Sequence, residues 1–193
     1  MILSNTRIFE VLDSGCLKLE PEPTPRIRTP GEECPYATSA VDLRLGSEIA
    51  WFKDKLAVNI DLRRGKFHGL FGSTSERCFI TEQQPYVLHP NKLVLGKTLE
   101  LVELPLVPKG VSLAARVEGK SSFARCGLLV HFTAPTIHAG FKGTITLELI
   151  NLGPIPISLF PGMYICQLIV EEVAGEPTRN DSQFQNQTTA GGG

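Results

Sequence analysis

The chain has 193 residues, enough for one domain with a sizeable hydrophobic core. Its formal net charge of −1 provides no basic surface of the kind that binds duplex nucleic acid. No apolar run approaches the length that crosses a membrane, and residues 1–15 lack the basic head and apolar core of a signal peptide. These features favour a soluble, cytoplasmic globular protein that binds neither nucleic acid nor a membrane.

The cysteines form no recognisable metal or redox motif. No two of them have C-x-x-C spacing, so a zinc knuckle and a dithiol redox site are both excluded. Their odd number, without a secretory signal, predicts reduced thiols. The five positions are Cys16, Cys34, Cys78, Cys126 and Cys166.

One short helix is predicted near the N-terminus, followed by a proline-rich connection. Ser4 can cap a helix that begins at about Asn5, and Gly15 is placed to end it. The apolar residues with helical spacing are Ile8, Val11 and Leu12. Residues 17–38 contain five prolines, which exclude regular helix and central strand, so this segment is predicted as a loop or extended connection.

Alternating apolar and polar residues predict strands along much of the remaining chain. The predicted strands are Ser39–Gly46, Glu48–Phe52, Phe79–Ile80, Tyr86–Leu88, Lys92–Leu101, Pro156–Leu159 and Tyr164–Val170. Residues 54–72 are mixed and charged and indicate strand plus loop, and Phe160–Met163 has Pro and Gly where a type II turn needs them. Many short strands with a single helix predict an all-β barrel or a jelly-roll-like sandwich.

Residues 116–151 combine a polar cluster with a carboxylate in a strand pattern. The cluster is Glu118–Ser122, and the carboxylate is Glu148. Alternation places Ile145, Leu147 and Leu149 on one face and Thr144, Thr146 and Glu148 on the other. A solvated outer face accounts for most strand glutamates, but burying an unpaired carboxylate is costly. The Ser-Ser-x-x-Arg cluster upstream, which we take as part of the same continuous element, favours a functional Glu148.

The C-terminal segment differs in composition from the domain of residues 1–174. Within residues 175–193 the only large apolar side chain is Phe184, so the segment cannot bury enough surface to offset the entropy of ordering it. A flexible tail is predicted. It is either a disordered end or a lid that orders when a ligand or a neighbouring subunit binds it.

The run Val117–Arg125, V-E-G-K-S-S-F-A-R, resembles the V-E-G-[RK]-S-S-x-A-R motif of the dCTP deaminases, a branch of the trimeric dUTPase superfamily. Further pieces occur in the same order as in that family. They are His131–Ala134, Gly143–Glu148, Pro161–Met163 leading to Gln167-Leu168, the strand Ser39–Gly46 and the tail Gln183–Gln187. The likeness spans nearly the whole chain and is weakest in the proline-rich stretch and in residues 54–72.

This resemblance implies a distorted β-barrel or jelly-roll-like dUTPase-type subunit, in a homotrimer whose active sites lie between subunits. It implies hydrolytic deamination of dCTP to dUTP and ammonia without zinc, with Mg²⁺ accompanying the triphosphate. The zinc-dependent deaminases carry H-x-E followed by P-C-x-x-C, and this chain has neither. The implied catalytic residues are Glu148, Ser121 and Arg125. The implied substrate-binding residues are Lys120, Ser122, Phe123, Ala124, Phe132, Ala134, His138, Thr146, Leu147, Gln167, Phe184 and Gln187.

The residue types fit this chemistry. Attack at C4 of cytosine needs an activated water, and without a metal a carboxylate must act as base and then return the proton as acid. We therefore expect partial burial to raise the pKa of Glu148, with Arg125 limiting the rise. Ser121 can orient the water, and Lys120 and Ser122 suit phosphate oxygens. Backbone N–H groups of the turn can add to phosphate binding if a helical turn begins there.

One position departs from the superfamily pattern and bears on the product. His138 stands where an Asp is usual, and it is a weaker base for attack at phosphorus, so dUTP is predicted to accumulate. Gln167 stands where bifunctional members also have Gln, which keeps open a dCTP deaminase/dUTP diphosphatase giving dUMP and pyrophosphate. A non-catalytic nucleotide-binding trimer would be expected to lack Glu148.

Overall fold

The computed structural model describes residues 1–54, 59–61, 63, 71, 73–107, 110–178 and 185–191. The elements in chain order are α1 (Asn5–Asp13), β1 (Lys18–Glu20), β2 (Val41–Arg44), β3 (Glu48–Phe52), β4 (Ser75–Phe79), β5 (Tyr86–Leu88), β6 (Leu93–Glu103), β7 (Leu113–Gly119), α2 (Ser121–Ala124), β8 (Leu128–Val130), β9 (Thr136–Ile137), β10 (Lys142–Asn151), β11 (Ile157–Leu159) and β12 (Tyr164–Glu172). The prediction of strand plus loop over residues 54–72 lies mostly outside the described residues.

The strands form three antiparallel sheets. The largest has the order β4-β3-β6-β10-β8, with β1 paired to the far end of β6. A second sheet has the order β2-β12-β7-β9, and β5 pairs with β11. The prediction of a mainly-β, jelly-roll-like fold with one short N-terminal helix is confirmed.

Helix α1 forms as its sequence predicts. The Ser4 hydroxyl accepts a hydrogen bond from the Arg7 amide at 3.3 Å, which satisfies one of the free donors of the first turn. Ile8 and Val11 are buried against the core. Gly15 has φ of +74°, the left-handed conformation that lets the chain leave the helix at low steric cost.

The stretch of residues 116–151 is not one continuous element. It is divided into β7, α2, β8, β9 and β10, so the Ser-Ser-x-x-Arg cluster and Glu148 lie on different elements. Gly127 and Gly140, with φ of +92° and +88°, provide left-handed turns between these elements. What joins the cluster to Glu148 is therefore tertiary structure rather than proximity along one strand.

Strand β10 is central in its sheet, with β6 on one side and β8 on the other. Ile145, Leu147 and Leu149 point into the core and are at most 1% exposed, whereas Glu148 on the opposite face is half-buried. The predicted alternation is confirmed. Because β10 is paired on both sides, the position of Glu148 along the sheet is fixed by two sets of backbone hydrogen bonds.

Candidate functional site

Glu148 is paired with a histidine on the neighbouring strand end. Its Oε2 lies 2.8 Å from His131 Nδ1, and the His131 amide donates to the Glu148 carbonyl at 2.9 Å. This backbone bond continues the β8–β10 ladder by one residue, so the two side chains face each other across the sheet. His131 is 8% exposed and has φ of +49°, a left-handed conformation that is uncommon for a residue with a side chain.

The pKa of Glu148 is lower than the sequence analysis expected. Burial of the carboxyl raises its pKa, but the hydrogen bond and charge of His131, together with a backbone hydrogen bond, outweigh burial, so the pKa falls below its ordinary value. The expected rise is wrong because it neglected His131. No hydrogen bond or ion pair in the described ranges joins Glu148 to Ser121 or Arg125. The carboxyl of Glu148 is therefore held in its ionised form, the form a general base requires.

Two buried polar atoms on these elements lack a protein partner. Within the described part of the chain, His131 Nε2 and Thr146 Oγ1 are fully covered and make no hydrogen bond. Thr146 lies on the same face of β10 as Glu148, two residues earlier. Buried polar groups are nearly always hydrogen-bonded, so these two atoms indicate a place for a water or ligand hydrogen bond beside Glu148.

Helix α2 carries the polar cluster at the surface. Ser121, Ser122, Ala124 and Arg125 are exposed, and Phe123 packs partly against the core. The amides of Phe123 and Ala124 both donate to the Lys120 carbonyl at 3.0 Å, so they are used within the turn. The predicted helical turn is present. Only its first amides lack a backbone partner, so only these could donate hydrogen bonds to a phosphate.

Lys120 and Gln167, both predicted as substrate contacts, meet at a buried carboxylate. Lys120 forms an ion pair with Asp42, and Gln167 Nε2 donates to Asp42 Oδ1 at 3.0 Å. The ammonium of Lys120 also lies 5.6 Å from the centroid of the Tyr164 ring. Sequence reasoning missed Asp42. The sequence feature that could have indicated Asp42 is an acidic residue between the two apolar positions Val41 and Leu43, which are both buried in β2.

The other predicted contacts fall into two groups. Phe132, Ala134 and His138 are exposed in the segments around β9. Leu147 is fully buried on the core face of β10, opposite to the face of Glu148. The structure therefore collects Thr146 and Glu148 on one face of β10, and it separates the side chain of Leu147 from them.

The tail residues 185–191 are docked on their own subunit. Thr144 N donates to the Gln187 carbonyl at 3.0 Å, and Gln187 Nε2 donates back to the Thr144 carbonyl at 2.7 Å. Gly143 permits this approach, because a Cβ there would lie 3.0 Å from the Gln187 nitrogen and oxygen. Gln187, predicted as a substrate-binding residue, is thus bound to β10 here, whereas Phe184 lies outside the described residues.

Beyond Gln187 the tail crosses the sheet face that carries Glu148. Lys97 Nζ donates to the Thr188 carbonyl, and the Ala190 amide donates to Glu48 Oε2 at 3.2 Å. Lys97 is paired with Thr146 in the antiparallel register, so their side chains share a face. Residues 185–191 therefore lie beside the candidate site on the outer face of β10, β6 and β3.

The described ranges contain neither a cluster of metal-ligating side chains nor a membrane-spanning helix. No three His, Cys, Asp or Glu side chains there are grouped to hold a metal ion. The described helices are all too short or too polar to cross a membrane. All five cysteines are free thiols.

Comparisons with known proteins agree on one family. A family model described as dCTP deaminase-like matches residues 2–173. The chain is 39% identical over 168 residues to the dCTP deaminase, dUMP-forming, of Dictyoglomus thermophilum, which covers 87% of this chain and 78% of that one. It is 37% identical over 193 residues to the dCTP deaminase of Natronomonas pharaonis, covering 97% and 91% of the two chains.

A solved structure supports the fold. The crystal structure of 2′-deoxycytidine 5′-triphosphate deaminase from Agrobacterium tumefaciens is similar, with a TM-score of 0.60 at 18% identity. The match covers 88% of this chain and 47% of that one, so the chain spans about half the length of the solved protein. At this identity the likeness concerns the fold alone.

Proposed function

The chain belongs to the dCTP deaminase-like family, and from that premise we propose that it hydrolyses dCTP to dUTP and ammonia. The observation that carries the proposal is the ionised, half-buried Glu148, paired with His131 beside two unsatisfied polar atoms. The test is incubation of the protein with dCTP and Mg²⁺, followed by measurement of ammonia and chromatographic separation of the nucleotides. Failure to release ammonia from dCTP would overturn the proposal.

In the proposed reaction Glu148 acts first as base and then as acid. Its carboxylate takes a proton from a water while the water oxygen bonds to C4 of the cytosine ring. The carboxylate delivers that proton to N3 of the ring, then takes the remaining proton of the new hydroxyl and passes it to the departing amine. The C4–N bond breaks as the C4 carbonyl forms, ammonia leaves and the carboxylate is regenerated. No zinc is needed in this sequence, and Mg²⁺ enters with the triphosphate as part of the substrate.

In this scheme His131 orients Glu148, the general base. Its Nδ1 fixes one oxygen of Glu148, which leaves the other oxygen to meet the water. Its Nε2 and the hydroxyl of Thr146 supply polar atoms where the base of the nucleotide would lie. A histidine that orients a carboxylate in this way contributes through placement and through the ionisation state of that carboxylate.

We propose that Ser121 and Arg125 reach Glu148 from a neighbouring subunit of a homotrimer. Their side chains are exposed on α2, and within the described chain neither contacts Glu148. Arg125 would offset negative charge that develops as the water attacks, and Ser121 would orient the water. In the same arrangement Lys120 and Ser122 would meet phosphate oxygens, with Asp42 lowering the net charge that Lys120 offers. We also propose a cytoplasmic location, which the free thiols support, and no nucleic-acid or membrane partner.

The product of the reaction is expected to be dUTP. His138 is exposed at the position where an acidic residue would activate water for attack at phosphorus, and an imidazole offers neither the negative charge nor the second acceptor oxygen with which a carboxylate can hold that water. Relatives of both kinds exist, since one is named dUMP-forming and another is not. Time courses should therefore show ammonia and dUTP rising together, with little pyrophosphate.

A matched variant sharpens this prediction. His138→Asp restores the acid at an exposed position, where the substitution should cost little stability. If position 138 decides the product, the variant will form more dUMP and pyrophosphate from dUTP than the unmodified protein does. Equal formation of dUMP and ammonia by the unmodified protein would establish the bifunctional alternative and contradict our interpretation of His138.

The pH dependence of deamination should report the His131–Glu148 pair. With its pKa lowered, Glu148 stays ionised as the pH falls, and the rate declines only when the pH passes through that lowered pKa. His131→Gly fits the left-handed backbone and removes both the hydrogen bond and the charge. The acid limb of kcat should then move to higher pH, because burial, which raises the pKa of Glu148, is no longer outweighed.

His131→Asn is the matched control for the pH profile. Asparagine tolerates the same backbone conformation and can donate a hydrogen bond from a similar position, but it carries no charge. Its acid limb should lie between those of the unmodified protein and the glycine variant. An acid limb that stays in place in both variants would show that His131 does not control the ionisation of Glu148.

A further inference from the structure

We infer that a backbone-to-backbone contact between Gly127 and Gly153, held by Asn151, positions the α2 turn for deamination. This inference rests on the proposed function, because α2 carries Ser121 and Arg125. The three residues are thus positioning residues, which act through the placement of α2 and do not touch the substrate.

Helix α2 is too short to be stable without tertiary contacts. It has only four residues, and its N-cap residue Lys120 makes no side-chain capping bond. Short helices are unstable without tertiary contacts, since nucleating a turn orders several residues for few hydrogen bonds. Four of the five residues at positions 121–125 are exposed, so few side-chain contacts fix this turn. Its position must be set by the contacts at its two ends.

The C-terminal end of α2 is pressed against the loop that follows β10. Leu152 N donates to the Gly127 carbonyl at 2.8 Å. A Cβ at Gly127 would lie 2.2 Å from the Gly153 nitrogen, and a Cβ at Gly153 would lie 2.4 Å from the Cys126 carbonyl oxygen. Both distances are far below van der Waals contact with rigid backbone atoms. Neither position has room for a side chain without a displacement of α2 or of the loop.

Asn151 fixes the loop side of this contact. It is fully buried, and its Nδ2 donates to the carbonyls of Leu88 at 3.0 Å and Ile155 at 2.8 Å. Its Oδ1 accepts from the Gly153 amide at 2.9 Å. Asn151 is also the last residue of β10, three residues after Glu148. One strand therefore carries the proposed base and anchors the turn that carries Ser121 and Arg125.

The test compares glycine substitutions that differ in this contact alone. Gly127→Ala and Gly153→Ala place a methyl group against backbone, and Gly31→Ala is the control. Gly31 has φ of +88°, close to the +92° of Gly127, but no heavy atom within 4 Å of the added Cβ. The left-handed backbone penalty is therefore shared, and the difference between the two variants measures the contact. Gly153 has no positive φ, so its variant tests steric displacement only.

We expect kcat for dCTP to fall roughly 10- to 100-fold in both contact variants, because a displacement of about 1 Å from productive geometry has effects of that order. Gly31→Ala should keep its kcat. The acid limb of the pH profile should stay in place in all three variants, since the His131–Glu148 pair is not touched. A general loss of structure would move that limb, so the profile separates positioning from unfolding.

A second readout does not depend on activity. Cys126 is the exposed cysteine of the five, and its Sγ lies 3.6 Å from the Ser122 carbonyl within α2. An added methyl group at Gly153 would press on the Cys126 carbonyl, and one at Gly127 would press on the loop that packs against it. Either change should distort the turn from Ser122 to Cys126, break this contact and speed alkylation of Cys126, whereas Gly31→Ala should not. If the unmodified protein does not deaminate dCTP, the proposed function fails, while faster alkylation still supports the anchoring. Unchanged kcat and alkylation in Gly153→Ala, or loss of the folded protein in both contact variants, would overturn the inference.

Discussion

Glu148→Gln is expected to lower the kcat for deamination by about 10³-fold or more, near the upper part of the range for general acid–base catalysis. The amide keeps the shape of the carboxyl but cannot take a proton from water at neutral pH. Binding of dCTP with Mg²⁺ should be largely retained, because the proposed phosphate contacts, Lys120 and Ser122, are on other elements. Ammonia release measures the first effect, and calorimetric titration with dCTP measures the second.

Glu171→Gln is the matched control for this variant. Glu171 is also a strand glutamate, its side chain is 32% exposed against 37% for Glu148, and it accepts a hydrogen bond from Arg116 at 2.9 Å. Its loss should leave turnover near that of the unmodified protein. Near-normal turnover in Glu148→Gln would contradict the proposed mechanism. An equal loss of kcat in both variants would indicate a general effect of removing a negative charge, and not the loss of a catalytic base.

Removal of the chain after Thr178 is expected to lower kcat/KM at least about tenfold while leaving the folded subunit and its assembly intact, because closing segments exclude water from the reacting atoms. Residues 185–191 cross the face that carries Thr146 and Glu148, so they are placed to cover a bound nucleotide. The truncation removes several hydrogen bonds, among them the buried ones of Gln187 and Ala190, so a decrease in thermal stability should accompany it. Steady-state kinetics and size-exclusion chromatography provide the two measurements.

Point variants separate the docking of the tail from its presence. Gly143→Ala puts a methyl group 3.0 Å from the backbone of Gln187 and should loosen the docked tail, giving part of the effect of the truncation. Gly175→Ala has φ of +88° and open space around the added methyl group, so it is the control. If the truncated protein is as active as the full chain, the tail has no role as a lid over the nucleotide. If the truncated protein dissociates into monomers, the tail stabilises the assembly and does not act as a lid.

Sequence reasoning succeeded where structure is set locally. The cap at Ser4 and the alternation along β10 depend on neighbouring residues, and both were predicted correctly. It failed for Glu148 and His131, which are 17 residues apart and meet only through the register of β8 on β10. Alternation gives the face of a side chain but not its partner across the sheet. The direction of the pKa shift was wrong for the same reason, and the bond between Lys120 and Asp42, 78 residues apart, was equally out of reach.

The left-handed backbone of His131 opposes the stability of the fold to the role proposed for this residue in catalysis. A residue with a side chain in this conformation costs about 1–2 kcal/mol, and glycine avoids most of that cost. Natural proteins commonly retain such strained residues where activity requires them. At acidic pH Glu148 becomes protonated and its pairing with His131 no longer stabilises the fold. A library of this protein selected for heat resistance at acidic pH should therefore enrich glycine at position 131, and the survivors should need a higher pH to keep Glu148 ionised. Selection for turnover at mildly acidic pH should restore the histidine.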